Sequence, residues 1–300
     1  MKRTVLLFLL LCLLITTGCK EKNEPIEPPV ASGTTGELRW VLSSDGTLTI
    51  SGNGEMPDYS HSRPQWFDYL SSTITAIVIN NGITSIGIGA FSGCIRLTSV
   101  IIPNSVTYIS GSAFSQCSSL TSVTIPNSVT FIERTAFYDC NNLIFINVDN
   151  GNAAYSSEDG VLFNKTKNTL ILYPSGKIGA YIIPNSVTFI EFSAFSRCIN
   201  LTSVTIPNSV TSIEEHAFVG CSSLTEIINE SIIPQDILEL LGVDRSACIL
   251  RVPAASLEAY RTAEVWKNFA NIVAIGETNK TAMSFLQLNN LLNIQEYEKI

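Results

Sequence analysis

A ten-residue segment returns almost unchanged along this chain, and that repetition constrains the fold more than any other feature. Leu97-Thr98-Ser99-Val100-Ile101-Ile102-Pro103-Asn104-Ser105-Val106 recurs over 120–129 and again over 201–210. An Ala-Phe pair stands at Ala90-Phe91, Ala113-Phe114, Ala136-Phe137, Ala194-Phe195 and Ala217-Phe218, each followed by a cysteine: Cys94, Cys117, Cys140, Cys198 and Cys221. Neighbouring cysteines lie 23 residues apart, except that 58 residues separate Cys140 from Cys198, one period plus 35. Self-similarity at such a period is the mark of a stacked solenoid.

The residues of one coil explain the period. Over 120–140, Val123 and Ile125 alternate with Ser122 and Thr124, which predicts a short strand with one buried and one exposed face. Pro126 has no N–H for a sheet ladder and ends the strand, and Asn127-Ser128 supplies a turn. Val129 and Ile132 point inward as the chain returns, and Ala136-Phe137 is expected to open a short helical turn whose Phe fills the centre. One coil orders more backbone than its few apolar side chains can offset, so coils must stack and share buried surface. The five Ala-Phe pairs are expected to form one continuous interior column.

This pattern resembles the BspA-like leucine-rich repeats of bacterial surface proteins, and the resemblance runs from about Gly36 to Gly276. It implies a leucine-rich-repeat solenoid of 23-residue coils, β-rich with short helical turns and capped at both ends. The solenoid is expected over 77–229, an N-terminal β cap over 37–76 and a C-terminal cap over 230–276. In the first cap, 38–42 and 47–50 flank Asp45-Gly46, a strong hairpin signal, with Trp66 and Phe67 closing the core. In the second, Pro234 opens a helix ahead of Ile237-Leu238 and Leu240-Leu241. Ser256 caps another, with Leu257, Tyr260 and Trp266 facing inward. The insertion, 149–180, reads as a β-hairpin beside the solenoid, built from 160–163 and 169–173. In the tail, 277–300, Phe285, Leu288 and Leu292 have helical spacing and suit a docked helix.

The N-terminus carries an address. Lys2 and Arg3 precede a dozen almost wholly apolar residues, too few to span a bilayer and shaped like a secretory signal core. Thr16-Thr17-Gly18-Cys19 resembles a bacterial lipobox, although Thr16 departs from its usual Leu. The resemblance implies a signal peptide over 1–18 and acylation of Cys19; the bland alternative is ordinary signal cleavage with Cys19 a bystander. Lys20-Glu21-Lys22-Asn23-Glu24 is similar to signals that send lipoproteins of some Gram-negative bacteria to the outer surface, so the expected location is the outer membrane, facing out. Pro25, Pro28 and Pro29 stiffen a tether over 19–36, able to hold the folded part roughly 50 Å from the lipid.

The formal net charge of the 300 residues is −8, and loss of Lys2 and Arg3 with the leader leaves 16 basic against 26 acidic residues. Such a chain repels phosphate backbones, and contact with membrane is expected only through the lipid. No phosphate loop, nucleophile elbow or His-Glu-x-x-His stands in the sequence, so neither enzyme activity nor a cofactor is expected. The two histidines, His61 and His216, read as solvated surface residues. Coils stack at about 4.8 Å, which does not forbid bridges between cysteines of neighbouring coils. Their recurrence once per coil and their odd number favour free, buried thiols. Asp149, Asn152, Glu158 and Asp159 lack the spacing of a calcium loop, and no metal is expected.

Two surfaces are candidates for binding. One is the exposed strand face carrying Ser99, Ile101, Ser122, Thr124, Ser203 and Thr205, along which solenoids commonly bind; Ser and Thr are also ordinary exposed β residues. The other is a set of aromatics between the inward residues of the return segment: Tyr108, Phe131 and Phe189, where Ser85 and Ser212 follow the usual small-residue habit. With the insertion looped out these three form an exposed stripe suited to sugar rings or a protein, unless the inserted hairpin covers them. The functional expectation is a non-enzymatic, adhesin-like surface protein recognising a protein or glycan partner. The alternative is a structural envelope lipoprotein contacting other surface proteins.

Overall fold

A computed structural model describes residues 28–69, 72–237 and 242–277. The expected signal peptide, Cys19, the helix expected at Leu238, Leu240 and Leu241, and the tail helix expected at Phe285, Leu288 and Leu292 lie outside the described residues. The chain winds as a β-solenoid. On its front side strands pair parallel one coil apart: Ala76 with Ser99, Ser122 with Phe145, Ser203 with Glu226, Glu226 with Ile249 and Ile249 with Asn271. On the return side the short strands Ile83–Ile86, Tyr108–Ile109 and Phe131–Ile132 form a second ladder. The expected alternation holds: Val123 and Ile125 are buried, and Ser122 and Thr124 are exposed.

The third side of each coil carries the Ala-Phe pair, and it is not helical. It is a chain of turns whose N–H groups point alternately inward to their own coil and onward to the next. Ala136 donates to the carbonyl of Glu133 at 3.0 Å within its coil, whereas Phe114 donates to Ala136 and Gln116 to Tyr138, both at 2.8 Å. Phe91 and Gly93 donate likewise to Ala113 and Ser115 at 2.8 Å. A helix would spend all these donors inside its own coil. The alternation is set by left-handed residues: Gly89 and Gly93, Ser112 and Gln116, and Ser193 and Arg197 all have φ between 56° and 80°. Such residues break a right-handed helix at every fourth position.

Two runs of the interior column form instead of one. Trp66, Phe91, Phe114 and Phe137 stack in sequence with centroids 5.8, 5.4 and 5.5 Å apart. A second run joins Tyr173 to Phe195 at 5.0 Å and Phe195 to Phe218 at 4.8 Å. Between them lies the insertion, and the buried core divides into two clusters there. The hairpin of Val161–Asn164 and Thr169–Leu172 forms as expected, with an added antiparallel strand, Tyr155–Glu158. It does not lie beside the solenoid but inside it. Thr169 pairs parallel with Phe189, and Val161, Leu162, Phe163, Leu170 and Tyr173 are all buried. Five apolar residues on so short a segment can be hidden only within the stack.

The ends also depart from expectation in part. The hairpin of Leu38–Leu42 and Thr47–Ser51 is present, and Ala31–Thr35, which fell within the expected tether, adds a third antiparallel strand to it. Gly33 lies against the Trp40 indole, where a Cβ would come within 2.9 Å of Nε1. Trp66 is buried and donates Nε1–H to the carbonyl of Ala90, while Phe67 turns outward. At the other end Pro234–Ile237 is not helical. The helix Leu257–Thr262 forms with Tyr260 and Trp266 buried, but the Ser256 hydroxyl bonds to the carbonyl of Ile232 at 2.8 Å instead of capping it. Strands Ile249–Val252 and Asn271–Ala274 extend the front sheet by two places the repeat pattern did not announce.

Candidate binding surface

The front face is built by strand positions one and three of each coil. Ser99, Ser122 and Thr124 are exposed there; Ser203 and Thr205 are half-buried because their strand is flanked on both sides, by Gly179–Ile182 and Glu226–Asn229. These residues belong to three separate sheets, and no strand pairing joins Ser99–Ile101 to Ser122–Ile125. Nor is the face uniformly hydroxylated. Ile101 is 60% exposed and Ile182 72%, both at strand position three, and Phe145 is 46% exposed at position one. Sequence reasoning missed Phe145 and Ile182 because their coils depart from the Leu-Thr-Ser-Val motif. Counting strand positions from each inward residue would have found both.

The threonines that open each strand and return segment serve the stack. Thr98, Thr107, Thr130, Thr211 and Thr225 each donate a hydroxyl to the carbonyl of the threonine 23 residues earlier, at 3.1–3.3 Å. A ladder of this kind satisfies the second lone pair of carbonyls that already accept an N–H.

On the return side, Tyr108 and Phe131 stack with centroids 5.0 Å apart and planes 13° from parallel, because their strands are in register one coil apart. Phe131 is 49% exposed, so the inserted hairpin does not cover it. Glu133 anchors the pair: one carboxylate oxygen accepts the Tyr108 hydroxyl at 2.5 Å and the other accepts the N–H of Gly111 at 2.8 Å. Hydrogen bonding to that carboxylate, which favours the neutral phenol, pushes the Tyr108 pKa up to about 12. Phe189 does not join the stripe. It is half-buried between Thr169 of the insertion and Ser212 of the following coil. The insertion supplies a strand at the place the stripe needed empty, and the Tyr155 hydroxyl takes up the N–H of Ile132 on its other flank.

The remaining candidates are engaged in the architecture. All six described cysteines are free and buried. Cys117, Cys140 and Cys221 donate their thiols to the carbonyls of Phe91, Phe114 and Phe195 in the preceding coil. Asn152 is buried, with its amide on the carbonyls of Pro126 and Val129, and Glu158 pairs with Lys167 at 2.6 Å, so the acidic residues of the insertion do not converge. Among the described residues no three His, Cys, Asp or Glu side chains come together in a group able to hold a metal ion. His216 is half-buried and packs edge-on against Phe192, not free in solvent as expected.

Parallel ladders, a 23-residue coil and a stacked aromatic interior define a leucine-rich-repeat β-solenoid. The BspA-type leucine-rich-repeat model matches in six copies over 63–176 and 170–237, more than half of the 300 residues. The chain belongs to that family. Its fold is similar to that of a leucine-rich cell surface protein from Faecalibacterium prausnitzii, with 24% identity, a TM-score of 0.52, and 85% of this chain and 97% of that one covered. A leucine-rich repeat protein from Eubacterium ventriosum is similar at 23% identity and a TM-score of 0.45, with coverage of 80% and 83%. The pneumococcal vaccine antigen PcpA matches at 17% identity and a TM-score of 0.46, with 83% and 88% covered. No curated protein shows a significant match. Among the described residues no helix is long and apolar enough to cross a membrane.

Proposed function

We propose that this protein is a non-enzymatic, adhesin-like binding protein, held at the outer surface of the outer membrane by acylated Cys19, and that it recognises a protein or glycan partner through exposed solenoid surface. The stacked, half-exposed pair Tyr108–Phe131 carries the reading. An open aromatic platform costs solubility, and neither ring is needed to fill the interior. Ser99, Ser122, Thr124, Ser203 and Thr205 lie on the front face, where Ile101 and Phe145 add apolar contact area. Phe189, enclosed by the insertion, contributes less. The fold family and the surface description of the Faecalibacterium relative support the cell-surface part of this reading.

Whole cells displaying the full chain should bind a subset of an array of matrix proteins and glycans, and Tyr108→Ser with Phe131→Ser should lower that binding at least tenfold without lowering the amount displayed. Unchanged binding by the double variant would remove the aromatic pair from the reading. Cys19→Ala should release the chain from the membrane fraction, and protease added to intact cells should digest the wild type. Full protection would instead favour an accessory lipoprotein facing inward.

A further inference from the structure

In four of the five Ala-Phe coils the turn side carries two left-handed positions, one just before the Ala-Phe pair and one two residues after it; the coil of Ala136-Phe137 has only the second, Asp139. Later coils carry side chains there, as with Ser112 and Gln116 or Ser193 and Arg197, except for Gly220 of the last coil. The first coil has glycine at both, Gly89 at φ 66° and Gly93 at φ 80°. A Cβ on either would meet no atom within 4 Å. The missing side chains leave a shallow floor, and the loop that precedes the coil forms a wall over it. The loop is pinned by the buried Trp66, by the N–H of Tyr59 on the carbonyl of Ile88 at 2.8 Å, and by Asp58, whose carboxylate accepts the N–H of Ile88 at 2.8 Å. A cavity of about 530 Å³ results, a size that suits a small ligand.

One wall of that cavity is Phe67, whose outward turn the core does not explain, with the guanidinium of Arg63 seated 4.2 Å above the ring centroid. Stacking on the ring holds the guanidinium while leaving N–H edges for a two-point bond to a carboxylate. Among the described residues no carboxylate pairs with Arg63. Among the described residues it is the one charged side chain lining the cavity, on a chain whose net charge is −8. The rest of the lining toward the next coil is hydroxyl and amide, including Ser92 and Gln116.

We propose that this cavity binds an acidic sugar unit of the hexuronate class. The carboxylate pairs with Arg63, one face of the pyranose chair lies over the glycine floor, and its hydroxyls meet Ser92 and Gln116. The site stands apart from the Tyr108–Phe131 surface and does not depend on it.

Titration of the full chain in detergent with glucuronate, glucose and N-acetylalanine, followed by ligand-observed NMR, tests this. Glucuronate should bind at least tenfold more tightly than glucose or N-acetylalanine. Arg63→Gln should remove that preference. Gly93→Gln should abolish glucuronate binding by filling the floor; Gln116 takes a left-handed conformation one coil on, so the variant should still fold, with a melting temperature lowered by the backbone strain. Tyr108→Ser with Phe131→Ser should bind glucuronate like the wild type. Equal binding of glucuronate and glucose, equal binding of N-acetylalanine, or wild-type affinity in a folded Gly93→Gln would each overturn the proposal.

Discussion

The two runs of the interior column are alike in chemistry and unlike in how they are joined. Within each, a coil meets its neighbour through stacked rings, return-side strand ladders and onward N–H bonds, repeated about every 23 residues. Between them, the strand Val161–Asn164 buries Leu162 in the first cluster and Val161 and Phe163 in the second, and the rest of the junction is made by individual contacts. The Ser175 hydroxyl bonds to the carbonyl of Cys140 at 2.8 Å, and the N–H of Gly176 to that of Leu143 at 2.8 Å. Arg134 reaches Glu191 and Glu214 at 3.5 and 3.2 Å, and Arg197 reaches Asp139 at 3.4 Å. A regular stack spreads its cohesion over every coil, whereas an interrupted one concentrates it in the few side chains that bridge the gap. The insertion is therefore the place where the molecule should yield first.

The largest effect should spare that distinction and strike both runs. Burial raises the thiol pKa of Cys198 and Cys248, the latter to about 12, and the neighbouring Cys117 thiol raises Cys140. A thiol that ionises near 9 in the unfolded chain and only higher in the folded one costs nothing below pH 9. It draws the chain toward unfolding as pH climbs from 9 to about 12. Chemical denaturation across that range should show a steadily falling midpoint, with both runs lost together. A midpoint independent of pH up to 12 would mean the thiols are not held neutral.

Next in size, Phe114→Ala should cost about 3–5 kcal/mol, since its ring is fully buried between two others. Phe137→Ala, stacked on one side only and facing the junction, should cost visibly less in the same urea melts. Equal losses would erase the difference between interior and junction. Asn152→Ala should cost about 2–3 kcal/mol, because its side chain satisfies the carbonyls of Pro126 and Val129 and the N–H groups of Ala154 and Tyr155. Hydrogen exchange should then rise across 152–173 and stay low around Phe91.

Ser175→Ala should remove about 1 kcal/mol. The double change Arg134→Gln with Arg197→Gln should remove less than about 1 kcal/mol per arginine, since both side chains are half exposed. In the wild type that small contribution should fade as salt is raised, and exchange at the junction should follow it. Salt-independent exchange there would show that the ion pairs do not hold the two runs together.

The period, the inward residues and the Tyr108–Phe131 pairing were legible because each follows from spacing alone: 23 residues place like atoms one strand apart. What spacing could not reveal is where a segment outside the repeat comes to lie. The hairpin of the insertion was readable from its two apolar runs, but not its entry into the stack, which depends on burying Phe163, Leu170 and Tyr173 together. That entry divided the column and displaced Phe189 from the candidate surface. The non-helical turns were hidden for a different reason. Ser112, Gln116 and Arg197 have no strong left-handed preference of their own, and it is the next coil, by accepting their N–H groups, that holds them there.

Those onward bonds have an evolutionary consequence. On the turn side each coil offers carbonyls to the one before it and N–H groups to the one after it, in the same places every time. A duplicated copy of any regular coil, spliced in frame, would find acceptors ahead and donors behind already waiting, and would need no compensating change. The number of coils in such a protein is thus nearly free to drift by gene duplication and deletion, while the length of each coil is not.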